Sequence, residues 1–431
     1  MRRSLVAKFK KNKFWKNVAI LFSGSAISQS IPILISPILT RLYNENVFGI
    51  LFLYSSIVLI LSSVSSFRYE LFIVMKKREI DAIHVFFLCI LLTSCYCLIL
   101  LAAILPFNKE IAIALENDEI EKYLLYVPLS VFFLGIIRSY NYWYNRKAKY
   151  KKTSINNMTK SFGAGFFQVL EGVYNFLKNG LVIGNIIGQS IGFVQMLSYD
   201  YKFFKKSLSR ISLPHLVNLL KIHKGYSSIQ TLIIFLNNIS SNIPVILITK
   251  FYGLTTGGYF GMSVRIVSTP LGLLSQAINQ VFFKEGAVII NSQQDILRFL
   301  KKTYKQLLVI SIIPFTLFAI GAPYVFRVVL GEEWGTAGMY TRILLPWLFI
   351  AFLNVPVSSL SSILYKQKKL FIYSATLLTL RVTSIYAGFH YFNDIVFTLL
   401  LFSGVGFFMN IYLLFYHINI AKKNVPNKID I

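Results

Sequence analysis

Runs of twenty or more mostly apolar positions alternate with short charged clusters along the 431 residues. Each run is long enough to cross the ~30 Å hydrocarbon core of a bilayer as a helix. Twelve such runs lie near residues 17–41, 48–75, 82–106, 122–144, 153–176, 179–200, 225–250, 255–283, 304–330, 336–365, 370–391 and 393–418. None shows the two-residue alternation of a membrane barrel strand. The pattern therefore predicts an all-α polytopic membrane protein with twelve transmembrane helices. Composition agrees: 55% of residues are hydrophobic and only 14% charged, where a soluble globule carries about a quarter charged.

The net charge of +27 first suggests a nucleic-acid partner, but its placement argues otherwise. Most basic residues fall in alternate connections and in the tails, beginning with MRRSLVAKFKKNKFWK. The intervening connections are acidic, as in residues 107–122 with Glu110, Glu116, Asp118, Glu119 and Glu121. The positive-inside rule then places both termini in the cytoplasm and reads the charge as topology, with no nucleic acid involved. Cys89, Cys95 and Cys97 all lie within the third run and are expected to be buried as small apolar residues. No phosphate-cradling motif or soluble domain is evident, so no cofactor is expected.

The two halves share a signature. Thr40-Arg41-Leu42-Tyr43 followed by Gly49 recurs as Thr249-Lys250-Phe251-Tyr252 followed by Gly258, each pair offset by the same spacing. Six spans per half is an even number, which predicts a parallel internal repeat with substrate bound between the halves. The expected organisation is a six-helix lobe with a basic tail (1–200), a basic cytoplasmic linker (201–224) and a second six-helix lobe (225–431).

Helical spacing places polar residues on common faces. Asn157, Lys160, Gln168, Glu171 and Asn175 share one face of the fifth span; Arg265, Ser268, Gln276 and Asn279 share one of the eighth; Arg381 is central in the eleventh. A charge at the bilayer centre costs at least ~2.5–3.5 kcal/mol, so these side chains should face protein or a wet cavity. Helix-to-helix pairing is the plainer reading, whereas the length of the stripes favours a cavity wall. The excess of basic over acidic residues in the spans suits a polyanion, through Lys160, Arg265 and Arg381, with Gln168, Gln276 and Asn279 as hydrogen-bonding groups. Glu70 and Glu171 are candidates for coupling or gating. Arg138, Arg327 and Arg342, near span ends, are expected to snorkel to the interface. Gly180, Gly184, Gly188 and Gly192, spaced by four, should let a neighbouring helix approach closely. On an unbroken second span Arg68 and Glu70 lie about 200° apart. They are therefore not expected to pair; Glu70 sits at the edge of a polar face and Arg68 points away from it.

The segments SGSAISQSIPILISPILTRLYNENVFGILFLYSS, SFRYE, NQVFFKEGA and VLGEEWGTAGMYTRILLPWLF resemble those of bacterial polysaccharide-biosynthesis flippases. These are the O-antigen and capsule-repeat translocases of the Wzx type, within the multidrug/oligosaccharidyl-lipid/polysaccharide exporter superfamily. The resemblance covers nearly the whole chain. It implies movement of an undecaprenyl-diphosphate-linked glycan from the inner to the outer leaflet of the bacterial cytoplasmic membrane, among membrane lipids. It also implies alternating access and coupling to a proton or sodium ion. The matching motif positions are Thr40, Arg41, Tyr43, Arg68, Tyr69, Glu70, Asn279, Gln280, Lys284 and Glu285. An antiporter of small amphiphiles on the same fold is the main alternative, and the basic interior argues against cationic cargo. A glycan polymerase or a scaffold fits less well, the first for want of a large outer loop.

Overall fold

The computed structural model describes residues 28–176, 179–209, 211–356, 360–361, 364 and 367–423, and these contain helices and turns but no strand. The basic tail and the start of the first apolar run lie outside the described residues. Helix α1 occupies residues 28–42. It is followed by α2 (Glu45–Ser62), α3 (Glu70–Met75), α4 (Glu79–Ala114), α5 (Glu121–Leu124), α6 (Val127–Arg146), α7 (Tyr150–Tyr174), α8 (Gly180–Tyr199) and α9 (Tyr201–Leu208). Then come α10 (Leu213–Asn291), α11 (Ile296–Leu330), α12 (Gly335–Leu353), α13 (Gln367–Ala387) and α14 (Ile395–Lys423). Among the described residues, eight helices are long and apolar enough to cross a membrane, or nine if α5 and α6, bent by 50°, form one broken span. α7 is not among the eight, because the stripe around Lys160 lowers its hydropathy.

The basic segment expected as a linker is helical, forming α9 and the first turns of α10. At 79 residues, α10 would extend close to 120 Å if straight, at ~1.5 Å per residue. It breaks at Gly253, where φ is 83° and ψ 172°, a conformation that costs a side-chain-bearing residue dearly. The break between α1 and α2 is at Asn44, which is extended and whose side chain caps the new helix by accepting from Val47 N at 3.1 Å.

By packing, the chain divides into two compact units, the first Ile31–Gly261 and the second the described parts of Met1–Ser30 and Met262–Ile431. In the first unit, α2 meets the second arm of α10 without intervening side chains. A Cβ on Gly49 would fall 2.1 Å from Leu254 O, and one on Gly258 would fall 2.3 Å from Glu45 O. Between these two contacts Thr255 Oγ1 donates to Asn46 Oδ1 at 2.5 Å, two residues 209 apart in sequence. The glycine ridge of α8 behaves as its spacing predicts. A Cβ on Gly184 would lie 2.6 Å from Gln168 Cγ, and one on Gly188 equally close to Ala164 Cβ and Lys160 O. Such proximity supplies dispersion contacts where no hydrophobic effect separates helix from lipid. Cys89 and Cys97 are buried, whereas Cys95 is exposed, so the expectation of burial fails for Cys95.

Replacing Gly188 with valine should separate α7 from α8, whereas the same change at Gly272, which has nothing within 4 Å, should be tolerated. Overpacking of this kind costs ~1–3 kcal/mol. A thermal melt of the purified proteins should show a lowered midpoint for Gly188→Val alone.

Candidate functional site

The SFRYE segment is a break in a helix. α2 ends at Ser62, and residues 63–69 form successive turns in which Phe67 (φ 48°) and Arg68 (φ 62°) both adopt left-handed backbone. Two adjacent non-glycine residues in that region are costly unless surrounding contacts hold them. Several do. Arg138 Nη1 donates to Ser62 O at 2.8 Å and to Ser63 O at 3.1 Å, taking up carbonyls that the ending helix frees. Ser227 Oγ donates to Phe67 O. Gly135 leaves room for Ser65, whose Oγ would lie 2.6 Å from a Cβ there.

The break overturns the expectation for Arg68 and Glu70. Arg68 Nη1 pairs with Glu70 Oε1 at 2.9 Å, and Ser66 Oγ donates to Glu70 Oε2 at 2.5 Å. The 200° separation holds only on a continuous helix; with φ positive at Phe67 and Arg68, the guanidinium turns back onto the carboxylate. Glu70 is fully buried, at 0% exposure. Tyr69 belongs to the same structure through its hydroxyl, which donates to Leu220 O of α10 at 2.7 Å. Phe72 stacks on His223 with ring centroids 4.0 Å apart. The motif thus fastens the start of α10 to the basic end of α2–α4. Arg138, expected to snorkel, is instead committed to capping. Arg342 is exposed and donates to Ala319 O and Ile320 O, each at 2.8 Å.

Tyr43 marks a second cluster. Its hydroxyl lies 2.7 Å from Gln168 O and 2.6 Å from Glu171 Oε2. A phenol carries one proton, and a backbone carbonyl can only accept. The Tyr43 hydroxyl therefore shares its one proton between the Glu171 carboxylate and the Gln168 carbonyl. Glu171 is 3% exposed, and Gly180 makes the space it occupies, since a Cβ there would come 1.8 Å from Oε2. Gln168 is likewise engaged within the bundle, donating from Nε2 to Leu181 O at 2.8 Å. This part of the α7 stripe therefore faces α8 and α1.

The predicted cations are distributed over both units. Lys160 is half-buried on α7, and its ammonium has no ion pair among the described residues. Arg265 is half-buried on α10. Arg381, only 7% exposed, lies over two rings, 4.6 Å from the centroid of Trp347 and 5.3 Å from that of Phe402. Each such contact is worth about 2 kcal/mol or more when desolvated. The aromatic partners, on α12 and α14, were invisible in the spacing of α13 itself.

The remaining motif residues are dispersed. Thr40 Oγ1 and Arg41 Nη1 both donate to Pro37 O, at 3.3 and 2.6 Å. Gln276, Gln280 and Lys284 are exposed, and Asn279 and Glu285 are half-buried.

The sequence profile of the family described as "Polysaccharide biosynthesis protein" matches residues 13–338. No curated protein matches the chain. Among solved structures, the lipid II flippase MurJ in an inward closed conformation aligns with a TM-score of 0.72 at 16% identity, covering 92% of this chain and 87% of MurJ. An inward-facing multidrug resistance transporter of the MATE family, in the MOP superfamily, aligns with a TM-score of 0.69 at 12% identity, covering 92% and 96%. A MOP superfamily transporter from Pyrococcus furiosus, described by the reverse polarity of its binding pocket, aligns with a TM-score of 0.61 at 14% identity, covering 96% and 97%. At these identities the likeness is one of fold.

The Arg68–Glu70 pair makes a quantitative prediction. Glu70→Gln leaves a guanidinium without its anion in a buried turn, a loss of ~3–5 kcal/mol. Adding Arg68→Met should recover part of that loss. Thermal stabilities of the single and double variants should give a coupling of at least ~1 kcal/mol; simple additivity would show that the pair contributes nothing.

Proposed function

The chain belongs to the polysaccharide biosynthesis protein family, and we propose that it is a flippase for an undecaprenyl-diphosphate-linked oligosaccharide repeat unit. On this reading it works in the bacterial cytoplasmic membrane, with both termini in the cytoplasm, and carries the unit from the inner to the outer leaflet. On the same reading the chain has twelve spans, counting the two arms of α10 separately. O-antigen or capsule units are the corresponding glycans.

The observation that carries the reading is Lys160: a half-buried ammonium, on a span rich in polar side chains, with no ion pair among the described residues. A diphosphate would supply the missing anion, and Arg265 would serve as a second contact. Asn279 and Gln276 would hydrogen-bond sugar hydroxyls, while the polyprenyl tail stays in lipid. Arg381, engaged with Trp347 and Phe402, is better suited to holding the shape of the second unit.

A parallel internal repeat is supported by the reciprocal contact of α2 with α10. Gly49 against Leu254 and Gly258 against Glu45 are the same contact made twice, as a two-fold axis through Asn46 and Thr255 would produce. Such an axis along the membrane normal fits alternating access by rocking.

For coupling, the Tyr43–Glu171 pair is favoured over Glu70, which is already neutralised by Arg68. Uptake of a proton at Glu171 would complete the two hydrogen bonds of Tyr43. Each charge moved through the membrane field gains ~2.3 kcal/mol per 100 mV.

In a strain lacking its own flippase, Lys160→Ala and Arg265→Ala should each lower surface polysaccharide at normal protein levels. Undiminished polysaccharide in both would sink the cationic-path reading. Glu171→Gln should fold normally and uncouple transport from the proton gradient, and Tyr43→Phe should weaken that coupling. Gradient dependence retained in both variants would rule out a proton at this pair.

A further inference from the structure

In the second unit, α13 and α14 enclose a cavity of about 450 Å³. Its polar wall carries Lys369, Tyr373 and Thr376 from α13 and Tyr416 from α14; its apolar wall includes Met409 and Leu413. No carboxylate lines it. The hydroxyls of Tyr373 and Tyr416 are buried and have no hydrogen-bond partner among the described residues. Inside a bilayer no bulk water remedies that, so the two phenols lack an acceptor. Lys369 Nζ sits 5.4 Å from the centroid of the Tyr416 ring, which brings a cation to the same end of the groove. That end is also the basic end of α14, which closes with Lys422 and Lys423. The flanking Ile372 and Tyr412 are exposed, at 54% and 60%.

The geometry points to a binding site for an anionic phospholipid of the leaflet that carries the basic connections. The phosphate oxygens accept from Tyr373 and Tyr416 and face the Lys369 ammonium, so charge and donor deficit are met by one group. The carbons next to the phosphate lie against Met409 and Leu413, and the rest of the chains run out past Ile372 and Tyr412 into the bilayer. The volume fits the phosphate and its neighbouring carbons rather than a whole lipid. A zwitterionic lipid brings the same phosphate with its own compensating cation and gains nothing from Lys369. The inference does not depend on what the protein transports.

The full-length protein, delipidated in detergent, can be titrated with phosphatidylglycerol, phosphatidylcholine or inorganic phosphate while its melting temperature is followed. Phosphatidylglycerol should raise the midpoint at lower concentration than phosphatidylcholine, and inorganic phosphate should not raise it. Lys369→Gln, a change at an exposed position, should weaken the phosphatidylglycerol response by about fivefold, and Lys369→Arg should keep it. Tyr373→Phe with Tyr416→Phe should weaken the responses to both lipids, because both bring the phosphate that the phenols donate to. The inference is overturned if Lys369→Gln and the double phenylalanine variant respond as the wild type does. It is equally overturned if both lipids act alike, or if inorganic phosphate protects as well as the lipid.

Discussion

A helix that stops inside a bilayer must pass its freed carbonyls to protein groups, because the hydrocarbon supplies no water to take them. That constraint organises the first unit. The turn of residues 63–69 exists because Arg138 takes Ser62 O and Ser63 O while Ser227 takes Phe67 O. Once the chain is held there, Arg68 closes on Glu70 and Tyr69 reaches Leu220. A charged motif, a helix end and the entrance to α10 are thus parts of one hydrogen-bonded arrangement. The donors that hold it come from two helices distant in sequence, α6 and α10, so the turn forms only as the unit folds.

The same constraint separates what could be read from sequence from what could not. The helices were legible, because their length and apolar content are set by the bilayer. The α8 ridge was legible too, since glycines spaced by four leave no other use for that face. The SFRYE turn was not: left-handed backbone at Phe67 and Arg68 has no signal in residue type. Positive φ at Phe67 and Arg68 ends the helical spacing there, so Arg68 and Glu70 meet where a continuous helix would hold them apart. Helical wheels also identify a polar face without saying what covers it. Gln168 and Glu171 sit on the predicted stripe of α7, but Leu181 and Tyr43 occupy them. Arg381 is central in its span as read, and two rings from other helices decide its surroundings.

Charges within the bundle consequently fall into different physical situations. Glu70 and Arg138 are structural: both Glu70 oxygens accept within the turn, and Arg138 Nη1 donates to two of its carbonyls. Arg381 is held by quadrupoles, which accept a cation without demanding an anion. Lys160 combines partial exposure with the lack of any ion pair among the described residues. The Tyr43–Glu171 pair differs again, because one phenol is shared between a buried carboxylate and a backbone carbonyl.

The crossing of α2 with α10 has an evolutionary side. A contact in which Gly49 meets Leu254 while Gly258 meets Glu45 is self-complementary. A polypeptide of half this length could therefore make it with an identical copy, gaining both close approaches from a single glycine. If the chain arose by fusion of two such copies, each glycine would be free to mutate separately. Yet the backbone carbonyls beneath them cannot retreat, so relatives should keep small residues at both positions long after the rest of the halves have diverged.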